Sequence, residues 1–365
     1  MSRSLADELT QFDPARPLAT ARTIPNSWYT SAEVARAEAD RVFGHTWQMV
    51  GRANQVSRPG AFLTANVAGE PVLVVRGEDG ELRAFFNVCR HRAAPLLTDP
   101  CGHATKLRCR YHGWTYDLAG KLRGTPEFDG VGDFRKEENG LAPMAVALWG
   151  PFVWVSLSLP VQTAEEFLAP LPAWCADRGL EALAFARRVE YDLACNWKVY
   201  VDNYLDGGYH VNTVHPALAG VLDYSAYKTT LHERCSVQTS PLKAGDPDDP
   251  ATITRTGTEA AYWWAFPNFM MNVYSGVMDT NLVLPLGPDR CRVVFDYYFA
   301  ADTPAAFIEQ SVAVAHQIQV EDMDICAEVQ RGLNSRSYTT GRFSVRREAG
   351  GYHFHRLLAK YLARE

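Results

Sequence analysis

The chain lacks features that would place it in several broad classes of protein. None of its 365 residues belongs to an apolar run close to the roughly 20 residues that a membrane-spanning helix needs. Lys and Arg (36) do not outnumber Asp and Glu (42), so the net charge is −6, whereas nucleic-acid-binding proteins usually carry a basic patch. Internal repeats and low-complexity tracts are missing too. We therefore expect neither a membrane span nor a nucleic-acid partner.

Two further absences concern targeting and disulfides. The first stretch, MSRSLADELTQFDPARP, has no apolar core and carries acidic residues, so neither a secretory signal nor a transit peptide fits, and we expect a cytoplasmic protein. Eight cysteines are scattered along the chain, and only those at positions 89, 101 and 109 cluster. In a reducing compartment such cysteines are mostly buried or metal-bound, so we expect no disulfide framework.

What is present is a globular chain, 47% hydrophobic, whose pattern changes along its length. Residues 1–40 contain a helix capped by Ser31. In residues 41–160 the apolar period is near two, and turn pairs such as Ala68-Gly69 separate short strands, which predicts a small all-β domain. Residues 161–365 mix helical and strand-like segments, and we expect a second, larger domain there.

Two segments of the larger domain bear on function. A long helix is predicted from Thr303, as its N-cap, to Gly332. The stretch from Asp246 to Thr258 is rich in Asp, Pro and Thr and is typical of a loop, either a mobile lid or a solvated surface loop.

Four potential metal ligands form two pairs, Cys89-x-His91 and Cys109-x-x-His112, with 17 residues between them. Two Cys and two His are the usual ligands of tetrahedral zinc. They also hold a Rieske [2Fe–2S] cluster, in which two thiolates bind one iron and two imidazoles bind the other. Zinc fingers usually group their two Cys and their two His separately. One Cys and one His per loop favours two equivalent loops around a two-iron cluster.

A third pair, Cys101 and His103, repeats the first spacing by chance. Only five residues separate His103 from Cys109, which is short for two independent ligand loops. We therefore expect neither residue to be a ligand.

The segments CRHRAAPL and CRYHGWTYDLAGKL closely resemble the Rieske signature of the Rieske non-heme iron oxygenase α subunits. The resemblance implies an α+β protein: a small all-β Rieske domain (41–160), then a catalytic domain (161–365) with a central antiparallel sheet flanked by helices. The helical segment 1–40 is expected to pack on the catalytic domain. Cys89, His91, Cys109 and His112 are then expected to bind the cluster.

A second group of potential ligands lies in NWKVYVDNYLDGGYHVNTVHP. On a straight α-helix, residues five apart differ in direction by about 140°, so His210 and His215 would not converge. Pro216 disfavours helical geometry at the residue before it, so the helix should end there and the ring of His215 can turn back. Two imidazoles and one carboxylate form the facial triad of non-heme Fe(II) oxygenases.

The carboxylate should come from the long helix. That helix offers four acids: Glu321, Asp322, Asp324 and Glu328. Helical spacing places Asp322 on an apolar stripe with Ile318 and Cys326, whereas the other acids have wetter neighbours. A carboxylate on a buried face is costly unless it is paired or metal-bound, so we expect Asp322 to be the third ligand; an ion pair with a buried base is the alternative.

The same family resemblance implies the same triad, His210, His215 and Asp322, and adds a coupling residue. Relatives place an acid just before the first ligand His, where it links the iron to a cluster of the neighbouring subunit. Asp206 is the matching residue, and Asp202 is a weaker candidate. Relatives have this acid three residues before the His, whereas Asp206 is four before it, with two glycines between, so a helix bulge is expected.

The downstream stretches FPNFMMNVY, MDTNLVLPLG and RVVFDYYF resemble choline monooxygenases of plants and their bacterial relatives. Quaternary ammonium groups cannot donate hydrogen bonds, and aromatic faces bind them by cation–π attraction. Alternation along FPNFMMNVY places aromatic and amide side chains together on one face, which suits a pocket wall. The predicted substrate-pocket residues are Tyr204, Tyr209, Trp263, Phe266, Asn268, Asn272 and Tyr274.

The sequence thus predicts the oxygenase component of a Rieske monooxygenase that hydroxylates or N-demethylates a small choline- or betaine-like substrate with O2. The expected cofactors are a [2Fe–2S] cluster and a mononuclear Fe(II). The expected partners are a separate flavin/iron–sulfur reductase or a ferredoxin, and further copies of the chain in a homotrimer. The alternatives are an aromatic-ring-hydroxylating dioxygenase and a Rieske electron carrier or redox sensor without oxygenase activity.

Overall fold

The chain folds into two compact units in the structure, a computed structural model that describes residues 4–246 and 248–364. One unit comprises residues 43–167. The other combines the N-terminal residues up to Val42 with the residues from Leu168 onwards. No helix in the described part of the chain is long and apolar enough to cross a membrane.

Seventeen strands are assigned within the described residues. They are β1 Gln48–Arg52, β2 Ala61–Val67, β3 Glu70–Arg76, β4 Leu82–Phe86, β5 Cys101–His103, β6 Leu107–Arg108, β7 Thr115–Tyr116, β8 Leu122–Gly124, β9 Pro143–Trp149, β10 Phe152–Ser156, β11 Ala184–Leu193, β12 Lys228–Leu231, β13 Cys235–Pro241, β14 Glu259–Ala265, β15 Phe269–Tyr274, β16 Val277–Gly287 and β17 Arg290–Phe299.

Eleven α-helices accompany them in the same residues. They are α1 Leu5–Leu9, α2 Asn26–Thr30, α3 Ala32–Ala37, α4 Ala164–Leu168, α5 Leu171–Ala176, α6 Trp197–Tyr204, α7 Val211–Val214, α8 Pro216–Val221, α9 Pro250–Thr254, α10 Ala305–Leu333 and α11 Ala349–Leu362.

The smaller unit is almost entirely β-structure. Seven antiparallel strands form one sheet in the order β1-β10-β9-β4-β3-β2-β5, and β6, β7 and β8 form a small second sheet. The predicted turn at Ala68-Gly69 joins β2 to β3; both residues have positive φ, and the side chain of Asn66 accepts a hydrogen bond from the Gly69 amide. An apolar cluster that includes Leu73, Phe85 and the predicted ligand Cys89 fills its interior.

The larger unit is built on a second seven-stranded antiparallel sheet, in the order β11-β17-β16-β15-β14-β13-β12. Helices α6 and α10 both contact this sheet, through β16 and β11 respectively, and they contact each other. The two sheets and the helices around the second one confirm the predicted α+β class, with a small all-β part and a larger part that has a central antiparallel sheet.

The N-terminal segment is part of the core of the larger unit. Ser31 caps α3 as predicted, accepting from the amides of Glu33 and Val34. Lys198 and Glu38 form a fully buried ion pair with 2.7 Å between Nζ and Oε1, and the Trp197 indole donates to the other oxygen of Glu38. A buried pair of this kind fixes the position of α6, because either charge alone would be strongly destabilising there.

Two predicted details of the larger unit were wrong. The segment from Asp246 to Thr258 is not simply a loop, because it contains α9, which Asp249 caps and which packs against α8 and α10. Helix α10 begins at Ala305, with Pro304 rather than Thr303 in the N-cap position. Asp249 is the N-cap of α9 and Pro250 is its first residue. A composition rich in Asp and Pro therefore indicates the start of a short helix as well as a loop.

Candidate active site

The first pair of ligand-type residues lies in two loops with matching backbone geometry. Cys89 follows β4 and Cys109 follows β6. In each loop the Cys carbonyl accepts from the amide four residues on, and the Cys amide donates to the carbonyl five residues on. The residue four positions after each Cys, Ala93 or Gly113, has positive φ. Two loops of the same shape therefore present one Cys and one His each, as the spacing predicted.

The imidazoles of the two loops meet, and both thiols lie in the interior. The rings of His91 and His112 have centroids 4.6 Å apart, and His91 stacks on Trp114 at 4.8 Å. Both thiols are buried, and the Cys89 sulfur lies 3.5 Å from the Tyr116 hydroxyl. The Nδ1 atom of His91 is buried and has no hydrogen-bond partner within the described chain. An orphaned imidazole nitrogen beside buried thiols fits a metal cluster, because a metal ion would satisfy it.

Cys101 and His103, which repeat the Cys-x-His spacing, lie elsewhere. Both are exposed residues of β5, where His103 pairs with Ala61 and Cys101 with Leu63. A strand fixes the two side chains along the edge of the sheet rather than in a loop. This placement agrees with their exclusion from the ligand set.

The second group comes from two elements of the larger unit. His210 and His215 flank the short helix α7, and Asp322 projects from α10. The Nε2 atoms of the two His are 3.1 Å apart, and Asp322 Oδ1 lies 3.1 Å from His215 Nε2 and 3.8 Å from His210 Nε2. The three residues form a group that could hold a metal ion, with potential ligand atoms within 4.8 Å of one another.

Proline 216 explains how the two imidazoles meet. His215 is the C-cap of α7, with φ −118° and ψ 78°, so the chain leaves helical geometry there, as the X-Pro rule predicted. Pro216 then starts α8 as its first residue. The break removes the angular separation that a continuous helix would impose on residues five apart.

Each His of the triad has a carboxylate behind it. His210 Nδ1 is 2.6 Å from Asp206 Oδ2, and His215 Nδ1 is 2.7 Å from Glu321 Oε2. An ionised carboxylate only accepts hydrogen bonds, so both Nδ1 atoms carry the proton and both Nε2 atoms keep a lone pair for a metal. Asn203 also donates to Asp322 Oδ1 over 2.6 Å. Glu321 was one of the four acids that the sequence offered as a third ligand. In the structure it lies behind His215 and orients that imidazole.

Asp206 rather than Asp202 is the acid beside the triad. Asp202 accepts from the hydroxyl of Tyr29 over 2.5 Å and faces His355 Nε2 at 2.9 Å, so it belongs to a separate network. The expected helix bulge before His210 is absent, because α6 ends at Tyr204. Gly207 and Gly208, with φ 70° and 72°, instead form a left-handed turn over which the Asp206 side chain accepts from the His210 amide.

Replacing Gly207 with Ala should disturb this turn. Its φ is unfavourable for a side chain, and a Cβ would overlap the backbone carbonyl of Arg347. We expect Gly207→Ala to displace Asp206 from His210 and to lower activity about 10- to 100-fold. Activity and metal content of the purified variant check this. Gly332→Ala is the matched control, since a Cβ there meets no atom within 4 Å and the helical backbone suits Ala; both values should stay at wild-type level.

A cavity of about 130 Å³ is lined by the triad and by residues from the sheet and α10. An engineered cavity of about 150 Å³ holds benzene, so the space here suits a substrate of similarly small size. Seven of its lining side chains are Tyr or Phe: Tyr200, Tyr204, Tyr227, Tyr262, Tyr274, Phe295 and Tyr297. Burial raises the pKa of Tyr204, Tyr227 and Tyr262 well above the usual 10, so these phenols stay neutral.

Besides Asp206 and Asp322, the cavity is lined by two further charged residues, Asp279 and Arg255. Asp279 is buried, and burial raises its pKa to about 6, although hydrogen bonds from Asn272 and Asn281 act in the opposite direction. Both amides donate to Oδ1, at 2.8 and 3.0 Å, and no described residue donates to Oδ2. Arg255 extends from the end of α9, with its guanidinium carbon 5.7 Å from the Tyr274 ring centre. Because its pKa is about 6, Asp279 is ionised at neutral pH.

Only some of the predicted pocket residues line the cavity. Those that line it are Tyr204, Asn272 and Tyr274. Those that do not are Tyr209, Trp263, Phe266 and Asn268. The hydroxyl of Tyr204 donates to Asn272 Oδ1 over 2.8 Å, so two of the three residues that line the cavity are hydrogen-bonded to each other.

The positions of the four residues that do not line the cavity have simple structural explanations. The predicted alternation assumed one strand, but β14 ends at Ala265 and β15 begins at Phe269, so Phe266 and Asn268 lie in the turn. Trp263 faces the opposite side of β14 and stacks on His232, while its neighbour Tyr262 lines the cavity. Tyr209 is 55% exposed.

Comparison with known families now defines the class of protein. The family described as the Rieske [2Fe-2S] domain matches residues 46–135, and the ring hydroxylating alpha subunit (catalytic domain) matches residues 180–364. The chain belongs to the Rieske non-heme iron oxygenase α subunits, which carry a [2Fe–2S] cluster and a mononuclear iron. An electron-transfer protein without oxygenase activity is not favoured, because the catalytic domain and a metal-type triad are both present.

Among its relatives, the chloroplastic choline monooxygenase of Arabidopsis thaliana is 41% identical over 363 residues, covering 96% of this chain and 85% of that protein. The carnitine monooxygenase oxygenase subunit of Escherichia coli K12 is 29% identical, with 93% of each chain covered. The crystal structure of the quaternary ammonium Rieske monooxygenase CntA in complex with L-carnitine has a TM-score of 0.83 at 29% identity, covering 96% of this chain and 98% of that one.

Proposed function

We propose that Cys89, His91, Cys109 and His112 hold the [2Fe–2S] cluster, with the thiolates on one iron and the imidazoles on the other. Support comes from the two loops of equal shape and from the orphaned Nδ1 of His91. Burial lowers the pKa of His91, and the neighbouring His112 lowers it further, so the ring is neutral and able to ligate at physiological pH.

We further propose that His210, His215 and Asp322 hold the mononuclear iron. Both Nε2 atoms and one carboxylate oxygen face a common point, and the ligand set is that of non-heme Fe(II) oxygenases. When bound, the iron supplies the activation of O2. Asp206 and Glu321 orient the two imidazoles, and Asn203 holds the Asp322 carboxylate in place.

The substrate that the cavity fits best is a small quaternary ammonium compound, choline- or betaine-like, which the enzyme would hydroxylate or N-demethylate. The observation that carries this proposal is a set of neutral tyrosines and one ionised carboxylate beside the triad. Aromatic faces attract a quaternary ammonium by about 2 kcal/mol or more per ring when water is excluded. Asp279 would neutralise the charge. The names of the similar choline and carnitine monooxygenases point the same way. An aromatic-ring substrate has no use for a buried carboxylate.

Oxygen uptake with matched compounds tests this function. Choline and glycine betaine carry a trimethylammonium group, whereas 3,3-dimethyl-1-butanol has a carbon in place of the nitrogen of choline. With a reductase and NADH or NADPH, we expect a quaternary amine to give O2 uptake coupled to product, and the neutral isostere to give none. Uptake with naphthalene-type rings and with no quaternary amine would overturn the proposal.

Binding of the cation should depend on the ionisation of Asp279. The charged and titratable groups around it are Arg255 and the tyrosines at 191, 200, 204 and 297. Arg255 stays charged and the tyrosines stay neutral between pH 5 and 8, so Asp279 is the member of this group that changes charge there. Because its pKa is about 6, protonation removes the counter-charge as the pH falls through 6. We expect affinity for the quaternary amine to be about tenfold lower at pH 5 than at pH 7.

Calorimetric titration under anaerobic conditions measures this affinity without turnover. The Asp279→Asn variant should bind the amine weakly and with no pH dependence over this range. The affinity of the wild-type protein for the neutral isostere should also be independent of pH over this range. A pH profile that is unchanged in Asp279→Asn would assign the titration to another group.

Electron supply and assembly complete the proposal. A separate flavin/iron–sulfur reductase or a ferredoxin is proposed as the donor, and a homotrimer as the assembly in which Asp206 links the iron to the cluster of a neighbouring subunit. The structure of a similar quaternary ammonium Rieske monooxygenase gives insights into inter-subunit electron transfer in that protein. We propose that residues 43–167 form the cluster domain and that the remaining unit, including the N-terminal helices, forms the catalytic domain. A cytoplasmic location stays a prediction.

A further inference from the structure

Arg255 is a partly buried cation that the proposed chemistry does not use. It lines the same cavity as the triad, at the C-terminal end of α9. Its Nε atom is buried without a hydrogen-bond partner, and its Nη1 makes a long 3.4 Å contact with the Ala251 carbonyl. The neutral side chain of Tyr274 also interacts with the guanidinium and helps to raise its pKa. Within residues 4–246 and 248–364, no carboxylate lies within ion-pair distance of this guanidinium. A guanidinium with a buried, unpaired N–H donor and no counter-ion beside it is costly unless a ligand supplies an acceptor.

The charge balance of the cavity depends on the ligand. With the site free of substrate, Arg255 and Asp279 carry one positive and one negative charge and stabilise each other's charged forms. A cation such as choline would add a positive charge to a poorly hydrated space that already contains Arg255. A zwitterion adds no net charge. Its cationic end would match Asp279, and its anionic end would match Arg255.

The donor geometry also favours an anion at Arg255. A guanidinium offers planar N–H donors that match a carboxylate, whereas an alcohol accepts only a single hydrogen bond. The aromatic rings near Arg255 supply no acceptor of comparable strength; Tyr274 lies beneath it, with its hydroxyl 2.9 Å from the hydroxyl of Tyr262.

We propose that the substrate is a zwitterion, a quaternary ammonium compound that also carries a carboxylate, and that Arg255 is the specificity-determining residue that binds the carboxylate. The trimethylammonium end lies among the tyrosines near Asp279. This inference rests on the proposed quaternary-ammonium function and narrows it: a betaine-type acid is preferred over choline, although choline has the same cationic group.

Glycine betaine and choline are a matched pair for the test, because they differ in a carboxylate against a hydroxymethyl group. Binding to the holoenzyme is measured by anaerobic calorimetry, which does not depend on turnover. We expect wild-type protein to bind glycine betaine, or a longer betaine such as γ-butyrobetaine, about 10- to 100-fold more tightly than choline, the range typical of hydrogen bonds to a charged group.

Arg255→Gln should remove this preference by weakening betaine binding about 10- to 100-fold, with choline affinity unchanged or improved. Arg255→Lys should keep part of the preference for betaine over choline, because the positive charge remains. Arg336→Gln, at an exposed position, is the control and should leave both affinities unchanged. The comparison of the two ligands on wild-type protein needs no variant, so a folding defect in Arg255→Gln would not leave the proposal untested.

The outcomes separate this inference from the function on which it rests. Choline binding as tightly as every betaine tested, or equal losses for both ligands in Arg255→Gln, would overturn the role of Arg255 and leave the quaternary-ammonium function standing. Failure of every quaternary amine to bind wild-type protein would overturn both.

Discussion

His210→Ala is expected to abolish turnover while leaving the visible spectrum of the cluster intact. His210 supplies one of three potential metal ligands, and its Nε2 lies 3.1 Å from that of His215. Two remaining ligands hold Fe(II) poorly, so the mononuclear iron should be lost. The proposed cluster ligands belong to the other compact unit and should be unaffected. Iron content should fall from about three to about two atoms per chain.

The control for this variant is His103→Ala. His103 repeats the Cys-x-His spacing but is an exposed residue of β5. Its replacement should preserve turnover, spectrum and iron content alike. Retained turnover in His210→Ala would contradict the assignment of the iron ligand, and loss of the cluster spectrum would show that the variant does more than remove one ligand.

Asp206→Asn is expected to have the second largest effect. The amide keeps the size of the carboxylate but loses its charge and presents an N–H to His210 Nδ1 in one of its two orientations. If Asp206 only orients His210, the loss of activity should be about 10- to 100-fold, as for other residues behind a metal ligand. If it also couples the two iron centres across subunits, the loss should exceed about 100-fold although the mononuclear iron is retained.

The chain provides a matched control for this experiment in Glu321→Gln. Glu321 stands behind His215 at 2.7 Å, much as Asp206 stands behind His210 at 2.6 Å. Both variants remove a carboxylate from an imidazole, but only Asp206 has the proposed coupling role. Equal effects of the two would contradict that role.

A single-turnover measurement distinguishes coupling from orientation. Enzyme reduced beforehand is mixed with O2 and substrate, and absorbance follows reoxidation of the cluster. We expect reoxidation to be slowed by Asp206→Asn far more than by Glu321→Gln, with the same mononuclear iron content in both. Wild-type reoxidation rates in Asp206→Asn would exclude the coupling role.

The two groups of metal-ligand candidates could be chosen from the sequence because local spacing largely determines where their side chains lie. Two Cys/His pairs in short loops, and a proline directly after His215, constrain the chain within a few residues. Asp322 could be selected among four acids because the period of a straight helix places it beside Ile318 and Cys326, and its carboxylate does face His215. These predictions depended on α10 being continuous, which it is.

The substrate pocket was harder to predict because it depends on where strands begin and end. Treating FPNFMMNVY as one strand placed Phe266 and Asn268 with Asn272, whereas a turn separates them. Trp263 was chosen only as a nearby aromatic ring, whereas its neighbour Tyr262 lies on the face of β14 that lines the cavity, because successive side chains of a strand point to opposite faces. Local alternation alone does not show where a hairpin turns.

Asp279 and Arg255 were missed for a different reason. They come from β16 and from the end of α9, far apart in the chain, and only tertiary packing brings them into one cavity. The segment that contains Arg255 has the composition of a surface loop. That composition does not indicate a guanidinium that lines the cavity. One signal was available: an Asp among the apolar residues of β16, a position that is costly without a function.

Iron and acid-labile sulfide analysis of anaerobically purified protein tests the central claim most directly. One chain with both centres should contain about three iron atoms and about two sulfides, and His210→Ala about two of each. Two iron atoms in the wild-type protein, unchanged by loss of His210, would mean that the triad of His210, His215 and Asp322 binds no iron, and the oxygenase described here would be contradicted.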